Sequence, residues 1–418
     1  MRPALSSLAL AALTAVAPGA AAATIKVPQD HATIQAAVLA AEAGDTVLVK
    51  PGVYREIVVV PGLLPGLTIK GSKSGRVIID ARVLPAGSGA GVRVFADDVT
   101  LKNLVVRHAR TNGGGFVFDE GIGVYVTGDD VRLDRVTALH SGDDGILVDG
   151  DRAVIRRCVV RSAEAGVVVL GADARVVDTE AEQVSDIGVA VQGDDALIER
   201  ATVRTTLFEP GILVMGARAV VRDSLVERTN QSGIAVEGDD ALIEGNSVRG
   251  SSSPDGAIHV PSGDRAVIRG NVCRDSRAPG IFTESSDGRV EDNLVEACGA
   301  GIRVVADDVD VLNNTVLETG YDAFGVDGND NLLAGNLARG NLYDGIEVVG
   351  GNGNMLIDNR TIGNHAEGLE NDGAFTVMIG NTSRKNRIDV ANGGAIDTFE
   401  QNDFVTGGPA TAPVLDDD

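Results

Sequence analysis

The chain has 418 residues, 44% of them hydrophobic but only 3% aromatic, with 53 glycines and no tryptophan. That mix argues against a compact globule built on large aromatic anchors and suits thin aliphatic layers separated by turns. Sixty acidic residues against 36 basic ones give a formal net charge of −24, a field that repels nucleic acid and anionic lipid, so no nucleic-acid partner is expected.

Taken in chain order, Arg2, the apolar run from Ala4 to Val16 and then Ala21-Ala22-Ala23 predict a signal peptide over residues 1–23, with the mature chain starting near Thr24. The run is too short to anchor the chain in a bilayer, and no later segment has the roughly 18 apolar residues a span needs. The product is therefore expected to be secreted or periplasmic, with no membrane span. Asp30 to Ala43 reads as a short amphipathic helix with Asp30 as N-cap and Gly44 as stop, capping the open end of a strand stack. Thr46–Val49 and Tyr54–Val60, separated by Pro51-Gly52, read as the first strands. The expected organisation is a cap and first strands over 24–60, a repeat array over 61–405 and a flexible acidic tail over 406–418.

From about residue 91 the chain repeats every ~22 residues, about 12 or more times. A glycine leads each alternating apolar strand: Gly123, Gly145, Gly166, Gly188, Gly211, Gly233, Gly256, Gly280, Gly301, Gly325, Gly345 and Gly368. An Asp- or Asn-rich turn follows in most coils, such as Asp97-Asp98, Asp129-Asp130, Asp194-Asp195 and Asp239-Asp240. A third marker, Asn246, Asn271, Asn293, Asn314, Asn336, Asn359, Asn381 and Asn402, predicts an asparagine ladder at a left-handed turn. Strands of three to five residues with period two, and no helix-period face, exclude leucine-rich repeats and describe a parallel β-helix. Cys158, Cys273 and Cys298 fall at unmatched offsets, which predicts buried thiols and no disulfide.

The opening Ala32-Thr-Ile-Gln-Ala-Ala-Val38, then Gly44-Asp-Thr-Val-Leu-Val49 and Pro51-Gly-Val-Tyr54, resembles the N-terminal cap of the pectin-lyase-like superfamily. The coils resemble its carbohydrate-binding and sugar-hydrolase repeats, of the PbH1 type. The resemblance covers nearly all of residues 24–405 and implies an all-β, right-handed parallel β-helix solenoid with a short capping helix. It also implies a polysaccharide ligand, and, if the protein is an enzyme, a polysaccharide lyase, glycoside hydrolase or epimerase. Ser141-Gly-Asp-Asp144-Gly-Ile resembles the paired-Asp motif of polygalacturonases, but Asn-Thr-Asp, Gly-His-Gly and Arg-Ile-Lys are missing, as is the Asp-Pro-His-Asp of mannuronan epimerases.

One place departs from the regular coil, an insertion at Thr111–Phe118. Aligning Leu101-Lys-Asn103 with Leu133-Asp-Arg135 puts His108 and His140 at one offset, hence about 5 Å apart along the stack. His108, His140, Asp143 and Asp144 form the candidate catalytic set, because a base and an acid at one edge serve glycoside or uronate chemistry. Arg110, Asp119, Glu120, Tyr125, Arg161 and Glu164 are the candidate substrate contacts, and Asp143 with Asp144 could instead hold calcium. Asp before a glycine or another small residue at this position is also ordinary turn chemistry, as at Asp255, Asp322 and Asp344. Alternation along the Gly-led strands turns Tyr125, Leu147, Val168, Leu170, Ala190, Leu213, Met215 and Phe282 outward, an apolar stripe fit for a polysaccharide, a protein partner or a covering loop. The Asp-rich turns read as solvated corners or a calcium edge. Three functions follow: a polysaccharide-binding or polysaccharide-processing protein, a non-catalytic extracellular scaffold, and a metal-delivery accessory protein that lacks soft ligand sets.

Overall fold

The computed structural model describes residues 21–83, 89–109 and 121–406. The expected export segment, the insertion at 111–118 and the tail beyond 406 lie largely or wholly outside them.

The coils stack as expected. Fifteen three- to five-residue strands form one parallel sheet, here the first face, from Val58–Val60 to Ile388–Asn392. The other 31 strands form the second and third faces, which join because Thr100–Arg107 and Arg132–Leu139 run through the corner between them. Inward residues such as Val124, Ile146, Val167 and Val189 are fully buried, and one aliphatic core runs the length of the stack. This is the expected pattern for strands whose inner side chains can only meet those of the other two faces.

Each corner turns on a residue in the left-handed region. Asp130, Arg152 and Asp173 serve the first corner, Arg135, Arg157 and Asp178 the second, and His108, His140 and Ser162 the third. The leading glycines answer to space, since a Cβ on Gly145 would fall 2.1 Å from Val160 Cγ1. Two glycines of the expected frame are displaced. Ala257, not Gly256, stacks on Gly233, and Ala323 holds the leading position in its coil. Gly325 instead faces outward, paired with Arg303 and Glu347.

The asparagine ladder forms from Asn246 to Asn402, each Nδ2 donating to the next Oδ1 at 2.9–3.1 Å. Its asparagines are not the left-handed residues, however. Those are the preceding Gly245, Gly270, Asp292, Asn313, Gly335 and Asp358, which frees each asparagine to point inward and bond along the stack. The helix is shorter than expected, Ile34–Leu39, with Thr33 as N-cap through its Oγ1. Asp30 binds the Lys26 amide instead. A strand at Thr24–Val27 already pairs with Thr46–Val49. Cys158, Cys273 and Cys298 are free and buried, and burial pushes the Cys158 thiol up to about 12.

Candidate functional site

At the third corner the equal offset of His108 and His140 becomes a ring stack, with centroids 5.5 Å apart and planes inclined by 15°. Both residues have left-handed backbones, φ +61° and +56°, so their side chains leave the corner in the same direction. His108 is not free: its Nδ1 lies 3.2 Å from Asp80 Oδ1, and Arg82 and Arg107 hold the same carboxylate at 3.1 and 3.0 Å. Burial works against charge on Asp80, but the hydrogen bonds from Arg82 and Arg107 hold it well below the usual carboxylate range. Burial lowers the His108 pKa, with the Asp80 hydrogen bond pulling the other way. His140 is exposed. Asp80 escaped the sequence reading because it precedes the regular repeat.

In His140's own coil and the two that follow, Asp143, Asp144, Glu164 and Asp186 gather at the same corner. The Glu164 amide donates to the Asp143 carbonyl and the Asp186 amide to that of Glu164. Burial, then the charges of Asp143, Glu164 and Asp186, push Asp144 up to about 7. Burial also raises Asp143 and Glu164. A shallow depression of about 480 Å³ runs down this corner, lined among others by Ser141, Ser162, Glu164, Gln183 and Leu207. Arg161 is not brought to it, because its Nε bonds Glu182 at 2.8 Å across the third face. Arg110, Asp119 and Glu120 lie outside the described residues.

A second acidic cluster, set aside in the sequence as turn chemistry, is the denser one. Carboxylate oxygens of Asp322, Asp344 and Glu347 all lie within 4.8 Å of one another, and so do those of Asp344, Glu367 and Glu370. Asp322 Oδ1 accepts from the Asp344 amide at 3.0 Å, and Asp344 Oδ1 from the Glu367 amide at 2.7 Å. Asp344 is only 6% exposed. Its burial, and then the nearby Asp322 charge, push it up to about 8, while burial followed by Asp322 and Glu370 pushes Glu347 up to about 7. Among the described residues these two overlapping groups are the sets of three or more acidic, His or Cys side chains suited by spacing to a metal ion. Asp322, Asp344 and Glu367 recur one coil apart, as do Glu347 and Glu370, and stacking those offsets would have exposed the cluster in the sequence.

The outward row of the first face connects both ends. Tyr125, Leu147, Val168, Ala190 and Leu213 stand in register. Leu170 and Met215 belong to a neighbouring row, where Met215 is flanked by Gln192 and Glu237, so the apolar stripe is narrower than alternation alone suggested. Further along the same row come His259, Phe282, Arg303, Gly325, Glu347 and Glu370. The His259 and Phe282 rings stack at 5.2 Å and Arg303 lies over Phe282 at 5.3 Å. Beside the acidic cluster, Tyr321 and Tyr343 stack at 5.3 Å, both more than half exposed. The Asp-rich first corner is neutralised by arginines, for example Arg152 on Asp130 at 2.9 Å and Arg218 on Asp195 at 2.7 Å, which favours turn chemistry over a calcium edge there.

Among solved structures, the catalytic domain of a GH87 α-1,3-glucanase in complex with tetrasaccharides superposes with a TM-score of 0.56 and 13% identity, over 72% of this chain and 66% of that one. The same domain with nigerose gives 0.55 and 15%, over 72% and 66%. The A-module of the Azotobacter vinelandii mannuronan C-5 epimerase AlgE6 gives 0.43 and 16%, over 88% and 94%. The chain thus spans just under two thirds of the glucanase domain's length. No curated protein sequence matches the chain. The model for a right-handed β-helix region matches residues 120–252 and 210–362, more than half of the chain. With the parallel three-faced stack described above, this chain belongs to the right-handed β-helix family.

Proposed function

We propose that the protein is exported and hydrolyses a polysaccharide laid along the first face, with its chemistry at Asp322, Asp344, Glu347, Glu367 and Glu370. The observation that carries this reading is a set of five carboxyl groups in which Asp344 and Glu347 retain a proton close to neutral pH beside carboxylates that face the same space. Glycoside cleavage needs that division of labour: one carboxylic acid to protonate the leaving oxygen and one carboxylate to activate water or stabilise the sugar cation. Glu347, half-buried on the open face, is the acid. Asp322 is the carboxylate whose charge, with that of Glu370, helps to hold the proton on Glu347, and Asp344, which accepts from the Glu367 amide, lies within 4.8 Å of Asp322 and Glu347. Tyr321 and Tyr343, stacked beside the cluster and more than half exposed, offer aromatic surface for a sugar. The glucanase of the same fold described with bound tetrasaccharides supports the use of this architecture for glycans.

A second reading rests on the oxygen spacing itself. Two interlocking groups of three carboxylates suit a hard divalent cation such as calcium, which would take Asp344 as a shared ligand.

The test is release of reducing ends from a panel of neutral and acidic polysaccharides by the purified full chain, with calcium and with chelator, beside Glu347→Gln. Turnover lost in the variant supports hydrolysis at this cluster. Turnover lost with chelator in the wild type moves the assignment to the cation. Wild-type turnover untouched by both Glu347→Gln and Asp344→Asn removes the cluster from the reaction, and no binding or cleavage across the panel leaves the scaffold reading.

A further inference from the structure

Asp134 occupies an outward position on the second face, since its neighbour Leu133 points into the core, yet only 2% of it is exposed. Cations cover it. Lys102 Nζ lies 3.0 Å from its Oδ2, Arg156 at 3.4 Å and Arg135 at 3.6 Å, while Arg157 sits 2.6 Å from Oδ1. Lys70 stands in register with Lys102 one coil earlier. Four cations on one carboxylate exceed what neutralising a buried aspartate requires; none of the four has a second ion pair within 4.0 Å among the described residues, and Arg157 also acts at longer range, on Asp178.

Further along this face several charges are matched in pairs. Arg200 bonds Asp178 at 2.6 Å, Arg222 reaches Glu199 at 3.3 Å, Arg269 reaches Glu244 at 2.8 Å and Arg289 reaches Asp310 at 3.0 Å. A structural charge ladder accounts for those pairs. It does not account for the surplus at Asp134, whose arginine and lysine side chains remain 34–50% exposed.

We propose that Lys102, Arg135, Arg156 and Arg157, gathered around Asp134, bind sulfate or phosphate groups carried on a glycan. Three guanidinium forks match the oxygens of such groups in pairs, with Lys102 as a mobile point charge. The rest of the molecule is strongly acidic, so a bilayer or a duplex would bring a broad negative surface against it. A thin glycan strand touches the island alone, and beyond about 8 Å physiological salt screens the surrounding charge. The site stands on different faces from the carboxylate cluster and does not depend on it.

The experiment is binding of the full chain to dextran sulfate, with uncharged dextran as control, over a series of salt concentrations. The wild type is expected to bind dextran sulfate only, more weakly as salt rises. Lys102→Gln/Arg156→Gln, which leaves Arg135 and Arg157 to pair with Asp134, is expected to bind at least tenfold more weakly while still melting cooperatively, at a somewhat lower temperature because two partners of a buried carboxylate are lost. Arg218→Gln/Arg265→Gln, which removes two matched arginines from the first corner, is expected to bind as the wild type does. Absence of wild-type binding, equal loss in both variants, or preference for phosphatidylglycerol vesicles over dextran sulfate would overturn the proposal. Glu347→Gln should bind dextran sulfate normally, so failure of the hydrolytic reading is separately visible.

Discussion

Gly325 pairs in register with Glu347 of the next coil, and a Cβ placed on Gly325 would meet no atom within 4 Å. Arg303 stands on its other side, so Arg303 and Glu347 flank an open floor about 10 Å across at two strand spacings. One sugar ring fits such a gap. The gap exists because Ala323 took over the leading position of this coil, which released a glycine to the outer row.

Filling that floor should block the site without harming the fold. Gly325→Val suits a strand backbone and enters empty space, so its melting temperature is expected to match the wild type while KM rises at least tenfold. A KM within twofold of the wild type would show that the substrate does not cross Gly325.

Glu347→Gln is expected to lower kcat by ~10²–10⁴, the range of one general acid, with a much smaller change in KM. Asp322→Asn should lower kcat and shift the alkaline limb of the pH–rate profile to lower pH, because the Asp322 charge helps to hold the proton on Glu347. A pH profile identical to the wild type would remove it from that role.

The same groups set a stability trend. Asp344 and Glu347 have folded-state pKa values raised to about 8 and about 7, so the folded chain binds protons that the unfolded chain has released. Stability is therefore fully present below the unfolded carboxylate range and is lost as pH rises from about 4 towards 8. Melting temperature should fall by a few degrees across that window, and Asp344→Asn/Glu347→Gln should flatten the fall. Asp80 works oppositely: its lowered pKa gives stability above the ordinary carboxylate range that is lost at acid pH. Calorimetry from pH 4 to 9 on wild type and double variant reads the first effect.

Asn314 donates to Asn336 Oδ1 and accepts from Asn293. Asn314→Ala removes the acceptor of the buried Asn293 amide and the side-chain donor to the Val290 carbonyl, and is expected to cost roughly 2–4 kcal/mol by urea unfolding. An exposed strand control such as Arg360→Ala should cost well under 1 kcal/mol.

His140→Ala/Asp144→Ala separates the two acidic clusters. If chemistry belongs to the Glu347 cluster, this variant should keep kcat within about threefold and weaken binding only of long chains that reach the depression beside Ser162. Complete loss of turnover would return the reaction to the His140 end.

Several features were legible in the residues alone because a solenoid repeats one local rule. The Gly-led strand, the Asp-rich corner and the asparagine column each recur at one spacing, and alternation assigns inward and outward positions. From these followed the coil stack, the His108–His140 contact and the ladder. The helix N-cap was misplaced because Asp30 satisfies the Lys26 amide while Thr33 meets the helix. The Leu170 and Met215 positions failed for a related reason: strand ends drift into a second row that alternation cannot see.

The sequence by itself determined the period, the core-facing residues and the buried thiols, since each depends on neighbours within one coil or on an equal offset in the next. Only the tertiary structure decided which charges meet. Asp80 reaches His108 from outside the repeat, Asp134 collects cations from three successive coils, and Asp344 draws Asp322, Glu347, Glu367 and Glu370 around it. Charge–charge effects depend on distance and burial across coils, which no single repeat records.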